Sequence, residues 1–398
     1  MTLAISVIGT GYLGAVHAAS MADLGHTVVG VDADRAKVAA LNAGTAPLFE
    51  PGLDELLARV LPTGRLRFTT DFSQVADAQV HFVCVGTPQM AGENAADTSF
   101  VYAAVEALAP HVRDGALVVG KSTVPVGTAA KLLATLQARV PAGVTPRLAW
   151  NPEFLREGFA IEDTVAPDRF VYGVLGYPDS EAAQADVALL DQVYAVPLAT
   201  GTPRLVMDYA TAELVKVAAN AFLATKISFI NAMSEVCEAA GGDVVALAAA
   251  MGHDDRIGAK FLGAGVGFGG GCLPKDIRAF MARAGELGAD QALTFLREVD
   301  QINLRRRARM VDLARAECGG TLVDKRVAVL GAAFKPNSDD VRDSPALDVA
   351  QAVRAAGGQV TVHDPKAVPN TRRTRPDLDY ADTVEEAVTD ADVVLHLT

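Results

Sequence analysis

The stretch Val7–Gly14, VIGTGYLG, decides how the chain is read. Gly9, Gly11 and Gly14 form a G-x-G-x-x-G run straight after the β-branched segment AISVI and ahead of an Ala-rich helical pattern. In such a turn the first glycine makes the tight bend, the second admits a pyrophosphate against the backbone, and the third lets helix pack on strand. Tyr12 and Leu13 stand at the helix start, where unpaired N–H groups and the helix dipole attract phosphate. Alone, the run is a weak signal. The next strand, TVVGVDAD, ends in Asp32, about 20 residues on, where a carboxylate binds ribose hydroxyls. That carboxylate would repel a 2′-phosphate, so the expected cofactor is NAD rather than NADP. Arg35 nearby reads as a solvated residue at a helix start.

Working outward, VHFVCVGTP, ALVVGKSTV and RLAWNPE repeat the alternation of short β-branched runs with helical ones. Such alternation implies a parallel sheet covered by helices on both faces. Gly86, Thr87 and Pro88 follow one of these strands, in a loop expected to face the cofactor. From about Asp208 to Ala240 the text contains neither glycine nor proline and predicts one long helix. Helical pattern continues to about Glu317, broken by a glycine-rich loop. Then KRVAVLGAAF, QVTVHDP and ADVVLHLT bring strands back as a second, smaller α/β domain. The expected fold is α/β: two Rossmann-like α/β domains joined by a long central helix and a helical dimerisation region. The expected divisions are residues 1–206, 207–318 and 319–398. The text stops at Thr398 on a strand, with no closing helix.

At 398 residues the chain exceeds what one core serves. A formal charge of −13 excludes a general nucleic-acid binder, which needs a basic face. The N-terminus lacks a basic region ahead of its apolar run, and no apolar run is long enough to span a membrane, so neither a signal peptide nor an anchor is expected. Four cysteines, Cys84, Cys237, Cys272 and Cys318, stand far apart without CxxC spacing. This fits a reduced cytoplasm and disfavours zinc or a disulfide framework, and no bound metal is expected.

One cysteine differs from the rest. GFGGGCLPKD, Gly267–Asp276, sets four glycines ahead of Cys272. CLPKDIRAFMARAG reads as a helix with Pro274 in its first turn, which puts Cys272 at the N-cap beside Lys275. Both neighbours favour thiolate over thiol. The glycines are expected to let a ligand lie on the backbone and to clear access to the sulfur. Cys84, mid-strand, Cys237, mid-helix, and Cys318, at a helix end, read as structural. On the long helix Lys216 and Asn220, four residues apart, share one face. Their neighbours are apolar, so Lys216 emerges from a face expected to be buried and can serve as acid, base or oxyanion stabiliser. NPEFLREG supplies Glu153 and Glu157 just after a strand.

These motifs, with FEPGLDELL, KSTVPVGT, DDRIGAKFLGAGVGFGGGCLPKD and AFKPNSDDVRDSP in this order, resemble the UDP-glucose/GDP-mannose dehydrogenase family over nearly the whole chain. The resemblance implies a four-electron oxidation of a sugar-nucleotide alcohol by two NAD⁺, through a thiohemiacetal and a thioester on Cys272. It implies Lys216 and Asn220 as stabilisers of charge on the sugar oxygen. Asp276 would act as base or orient the hydrolytic water, which Thr123 and Glu153 would position. Glu157 and Lys275 would lie near the cofactor, Lys37 near its adenosine ribose, and Arg342 would approach it from the last domain. Phe154 and Leu155 would meet substrate through their backbone. Arg256 would reach the sugar nucleotide across a homodimer. Lys260, Phe261, Leu262, Gly265, Gly267, Phe268 and Gly269 would line the UDP site, and Lys335 would reach substrate from the last domain. Family members usually continue past the position of Thr398 with a final helix and tail.

The wording NPEFLREGFAIEDTVAPDRFVYG favours UDP-glucose over GDP-mannose as substrate. A two-electron 3-hydroxyacid dehydrogenase also uses a helical Lys/Asn pair, but it needs neither Cys272 nor a second α/β domain. A dinucleotide-sensing scaffold would have no use for the full set of reactive side chains.

Overall fold

A computed structural model describes residues 2–176 and 178–398. They form two compact units, divided between Val217 and Ala218. The first holds eight strands: β1 (Ala4–Ile8), β2 (Thr27–Val31), β3 (Leu66–Thr69), β4 (Val80–Val83), β5 (Leu117–Gly120), β6 (Arg147–Trp150), β7 (Phe170–Val174) and β8 (Arg204–Asp208). They lie in the order β3-β2-β1-β4-β5-β6-β7-β8. All neighbours are parallel except β6 and β7, which pair antiparallel through Trp150 and Gly173. β1 is central to the cofactor half, in register with β2 from Ala4–Thr27 and with β4 from Ile5–Val80.

Both faces of this sheet are buried along β1, β4, β5 and β7, which is why those strands read as apolar runs. Ile5 and Val7 of β1 join one apolar cluster while Ile8 joins the other. Leu117 and Val119 of β5 go with the first, and Val118 between them goes with the second. Helices α1 (Tyr12–Asp23) and α2 (Thr128–Arg139) belong to these layers. The expected long helix is α3, Tyr209–Ala240, 32 residues, about 48 Å at 1.5 Å per residue.

In the second unit α4 (Leu273–Glu286) and α5 (Thr294–Glu317) lead to β9 (Arg326–Leu330). Helix α6 (Pro345–Ala355) comes next, then β10 (Gln359–His363), β11 (Asp379–Tyr380) and β12 (Val393–His396). This all-parallel sheet has the order β11-β10-β9-β12. Its core joins Val327 and Val329 to Leu347, Val349 and Val353 of α6. Cys318 caps α5 at its C-terminus, buried, and Cys237 lies within α3. Cys84 sits one residue past the end of β4 rather than within it, with its N–H on the Ile8 carbonyl at 2.8 Å.

Candidate active site

In the glycine turn after β1 the three glycines are needed for three reasons. Gly9 has φ 89°, and a Cβ there would lie 2.7 Å from Val85 Cγ1. A Cβ on Gly14 would fall 1.8 Å from the Gly9 carbonyl oxygen. At Gly11 it would meet nothing within 4 Å, and Gly11 caps α1 without a side chain. The protein itself therefore demands the outer glycines, while the middle one leaves an open cradle at uncapped N–H groups. A pyrophosphate fits that cradle.

Asp32 stands ready at the end of β2. Its Oδ2 accepts from the Thr10 N–H (2.8 Å), the Thr10 hydroxyl (3.1 Å) and Lys37 Nζ (2.9 Å), and Oδ1 accepts from the Asp34 N–H at 3.0 Å. Burial pushes the carboxyl up, yet the Asp34 N–H, the Lys37 ammonium and the Thr10 N–H together hold it below its usual value. Asp32 is therefore charged at neutral pH, and Lys37 is placed on it. The Thr87 hydroxyl donates to the Thr123 carbonyl at 2.7 Å, tying the loops after β4 and β5 together. Gly86 is as open as Gly11, with nothing within 4 Å of a Cβ, and the Pro88 carbonyl accepts from the Asp97 N–H at 2.7 Å. Leu13 packs into the core.

Tyr12 has a further task. Its hydroxyl donates to Glu50 and accepts from the Gly158 N–H at 3.0 Å. Glu50, 5% exposed, also accepts from the N–H groups of Gly158 and Ala160, each at 2.7 Å. The dinucleotide turn is thus fastened to the loop after β6, which carries Glu153 and Glu157. Glu153 Oε1 accepts from the N–H groups of Phe154 (2.8 Å) and Leu155 (3.0 Å), and Oε2 lies 2.9 Å from Lys121 Nζ. Lys216 Nζ is 5.4 Å from the centre of the Phe154 ring, and the Arg169 guanidinium is 4.1 Å from it. Glu157 lies half-buried in the following turn. Glu213, one turn before Lys216, accepts from the N–H groups of Gly127 (2.6 Å) and Ala129 (2.7 Å), fixing the start of α2 to the start of α3.

In the second unit Cys272 is exposed at the N-cap of α4, with Pro274 in the first turn as expected. Asp276, 1% exposed, has both oxygens engaged: Asn220 Nδ2 donates to Oδ2 at 2.7 Å and Lys275 Nζ to Oδ1 at 2.6 Å. Four expected residues are thereby brought together.

The glycines before Cys272 differ from expectation. A Cβ on Gly267 would lie 2.3 Å from Asn303 Oδ1, on Gly269 2.2 Å from the Asp343 carbonyl, on Gly270 2.7 Å from the Phe334 ring, and on Gly271 2.3 Å from the Arg342 guanidinium carbon. Their bareness admits protein, not ligand. Phe268 between them is clamped: Asn303 accepts its N–H (2.6 Å) and donates to its carbonyl (2.9 Å), where Arg307 also donates at 2.9 Å. The open glycines are Gly263 and Gly265, and the Gly265 N–H donates to Asn231 Oδ1 at 2.8 Å.

Leu262 is buried, while Lys260 and Phe261 are exposed, Phe261 at φ 65°. Arg256 stands apart, its side chain 89% exposed and paired with Asp254 at 2.6 Å. Lys335 Nζ lies 5.7 Å from the Phe334 ring centre, and Arg342 is bound to Asp340 at 2.5 Å. Sequence reasoning passed over Lys121, Glu50, Glu213 and Asn303, although the first two fall within quoted motifs. Among the described residues no group of His, Cys, Asp and Glu could hold a metal ion, and no helix is long and apolar enough to cross a membrane.

A glycine turn open to a pyrophosphate, a charged carboxylate at the end of the next strand and a helical lysine over the Phe154 ring suit an NAD-dependent oxidoreductase. Three family models cover most of the chain: the NAD binding domain over residues 3–196, the central domain over 210–305 and the UDP binding domain over 328–398. The chain belongs to the UDP-glucose/GDP-mannose dehydrogenase family. It is 42% identical to a UDP-glucose 6-dehydrogenase of Rhizobium meliloti, over 99% of this chain and 89% of that protein. A UDP-glucose 6-dehydrogenase of Bacillus subtilis is 40% identical, over 99% and 87%. The solved structure of a UDP-glucose dehydrogenase from Pyrobaculum islandicum matches with a TM-score of 0.92 at 38% identity, covering all of this chain and 90% of that one.

Proposed function

We propose that the protein oxidises the C6 alcohol of UDP-glucose to a carboxylate in two hydride transfers, with Cys272 holding the carbon between them. Bound NAD⁺, twice per turnover, supplies the hydride acceptor. The Cys272 thiolate adds to the aldehyde carbon, so no free aldehyde leaves. After the second transfer the carbon is a thioester, and water replaces sulfur to give UDP-glucuronate. Lys216 and Asn220 stabilise charge on the sugar oxygen. Asp276 holds Asn220 and Lys275 in place, and Glu153 with Thr123 positions the water. Residues 1–206 serve the cofactor, 207–318 carry the nucleophile, and 319–398 serve the UDP moiety, with Lys335 and Arg342 reaching inward.

The observation that carries this reading is the seat of Cys272: exposed at a helix N-cap, four residues before a buried carboxylate that holds Asn220. The names of its similar relatives support UDP-glucose in particular. The test is to count NADH formed per sugar nucleotide, with UDP-glucose and GDP-mannose side by side. Two NADH per UDP-glucose are expected. Cys272→Ser should bind both ligands yet stall after at most one hydride per site, and turnover near the parent rate would refute the assignment.

The protein is further proposed to be a homodimer through α3. Leu214, Phe222, Phe229 and Val236 recur at seven or eight residues along it and are 36%, 67%, 45% and 58% exposed. Such a stripe suits a two-fold partner. Light scattering should give a dimer at micromolar concentration and a shift toward monomer for Phe222→Glu with Phe229→Glu; a monomeric parent would overturn it.

A further inference from the structure

One buried charge has no task in that reaction. Lys121 follows β5 directly and is 3% exposed. Lysine is almost never found so deep unless it is paired. Its Nζ lies 2.9 Å from Glu153 Oε2, 3.1 Å from Asn151 Oδ1 and 3.5 Å from the Tyr194 hydroxyl. Asn151 cannot turn away: it accepts from the Tyr194 hydroxyl at 2.7 Å and donates to the Val171 carbonyl at 3.0 Å. The rings of Phe82 and Tyr194 flank Nζ at 5.9 and 5.8 Å. The ammonium is therefore a fixed point charge, and the Glu153 carboxylate is held between it and the Phe154 and Leu155 N–H groups.

We propose that Lys121 is a positioning residue for hydrolysis, holding the Glu153 carboxylate aimed so that it can take a proton from the attacking water. This rests on the thioester reading proposed for Cys272. In that step the water oxygen forms a bond to the carbonyl carbon and the carbon–sulfur bond breaks. The electron pair returns to Cys272, and the water's proton leaves by way of Glu153 to solvent. The ammonium on Oε2 and the two N–H groups on Oε1 fix where the accepting oxygens point.

The other groups facing the pair do not compete for that role. Burial, then the charge of Lys121, keeps His17 on α1 far below the imidazole range and uncharged. Burial pushes Cys84 up to about 12 and drives the Tyr194 phenol above its usual value. Asp163 is committed to Arg156 at 2.7 Å, and Arg169 and Lys216 lie over the Phe154 ring.

The test uses the full enzyme with UDP-glucose and NAD⁺. In Lys121→Met the first two NADH per site should still appear as a burst, while steady turnover falls about tenfold to a hundredfold. KM for UDP-glucose should stay within about threefold. Lys121→Arg should restore most of the turnover, and Lys121→Met should add less than about twofold on top of Glu153→Gln. Lys121→Gln, which removes the charge but can still hydrogen-bond Asn151, is measured in parallel, so a folding failure of one variant does not decide the outcome. Charge-free variants that keep the parent's steady turnover, or lose hydride transfer and hydrolysis equally, overturn the proposal alone. A parent enzyme that fails to give two NADH per UDP-glucose overturns the underlying reading and this proposal with it.

Discussion

The two parallel sheets invite comparison, because their first four strands in space lie in the same order. β3-β2-β1-β4 in one unit corresponds to β11-β10-β9-β12 in the other. Each first strand ends at a glycine with positive φ, Gly9 at 89° and Gly331 at 102°. Each second strand leads into a carboxylate that reaches back to the first, Asp32 to the Thr10 N–H and Asp364 to the N–H groups of Ala332 and Ala333. The difference lies in the connection from the first strand to its helix. After β1 the chain enters α1 at once, capped by Gly11 with no side chain over its N–H groups. After β9 it takes a long loop to Ser344, whose hydroxyl caps Leu347 and donates to the Ala332 carbonyl at 2.8 Å. Where Gly11 leaves a cradle, the second unit has Ala333, two residues past its glycine. Strand order makes the frame the two units share; of the two first helices, the one after β1 has the uncapped, side-chain-free start.

The comparison predicts its largest effect at Asp364. Its Oδ1 also accepts from the N–H groups of Lys366 and Ala367, so four backbone donors share one carboxylate. Asp364→Ala should destabilise the second unit by about 3 kcal/mol in denaturant titration without altering NAD affinity. Weakened NAD binding with unchanged stability would break the parallel.

Gly11→Ala gives the first unit the residue the second already has. Because the added Cβ meets no protein atom, the fold should survive with its melting temperature within about 2 °C. NAD affinity should fall by about a hundredfold, close to 2.7 kcal/mol. Unchanged affinity in a fluorescence titration would show that the cradle is not where phosphate lies.

The smallest effect belongs to Ser344→Ala, which opens the start of α6. A lost cap costs about 1 kcal/mol, and the variant should acquire no affinity for NAD. Appreciable NAD binding by the second unit would mean that the cap alone had been excluding it.

Legibility in the sequence divides along the same line. The first nucleotide turn is legible because its logic is local: three glycines, a strand before them and an aspartate one strand later. Cys272 at an N-cap and the Lys216–Asn220 pair come from helix periodicity alone. The pairing of Lys121 with Glu153 is not legible, since the ends of two strands must first be neighbours in the sheet. Glu50 is hidden for the same reason; its partners are more than a hundred residues away in the chain. The glycines before Cys272 suggest a ligand because a bare backbone is the same signal whether it faces a sugar or a phenyl ring. Only the packed Phe334 and Asn303 tell the two apart.

That last feature makes the shape of the loop before Cys272 depend on residues that follow it in the chain. The loop leading to the thiol is pressed into shape by Phe334, Arg342 and Asp343, all of which lie later in the chain. The residues that its glycines fit against are therefore still to be made when the chain has been built only as far as Cys272. A single proteolytic cut between Lys335 and Asp343 of the mature enzyme should end oxidation while leaving NAD binding intact.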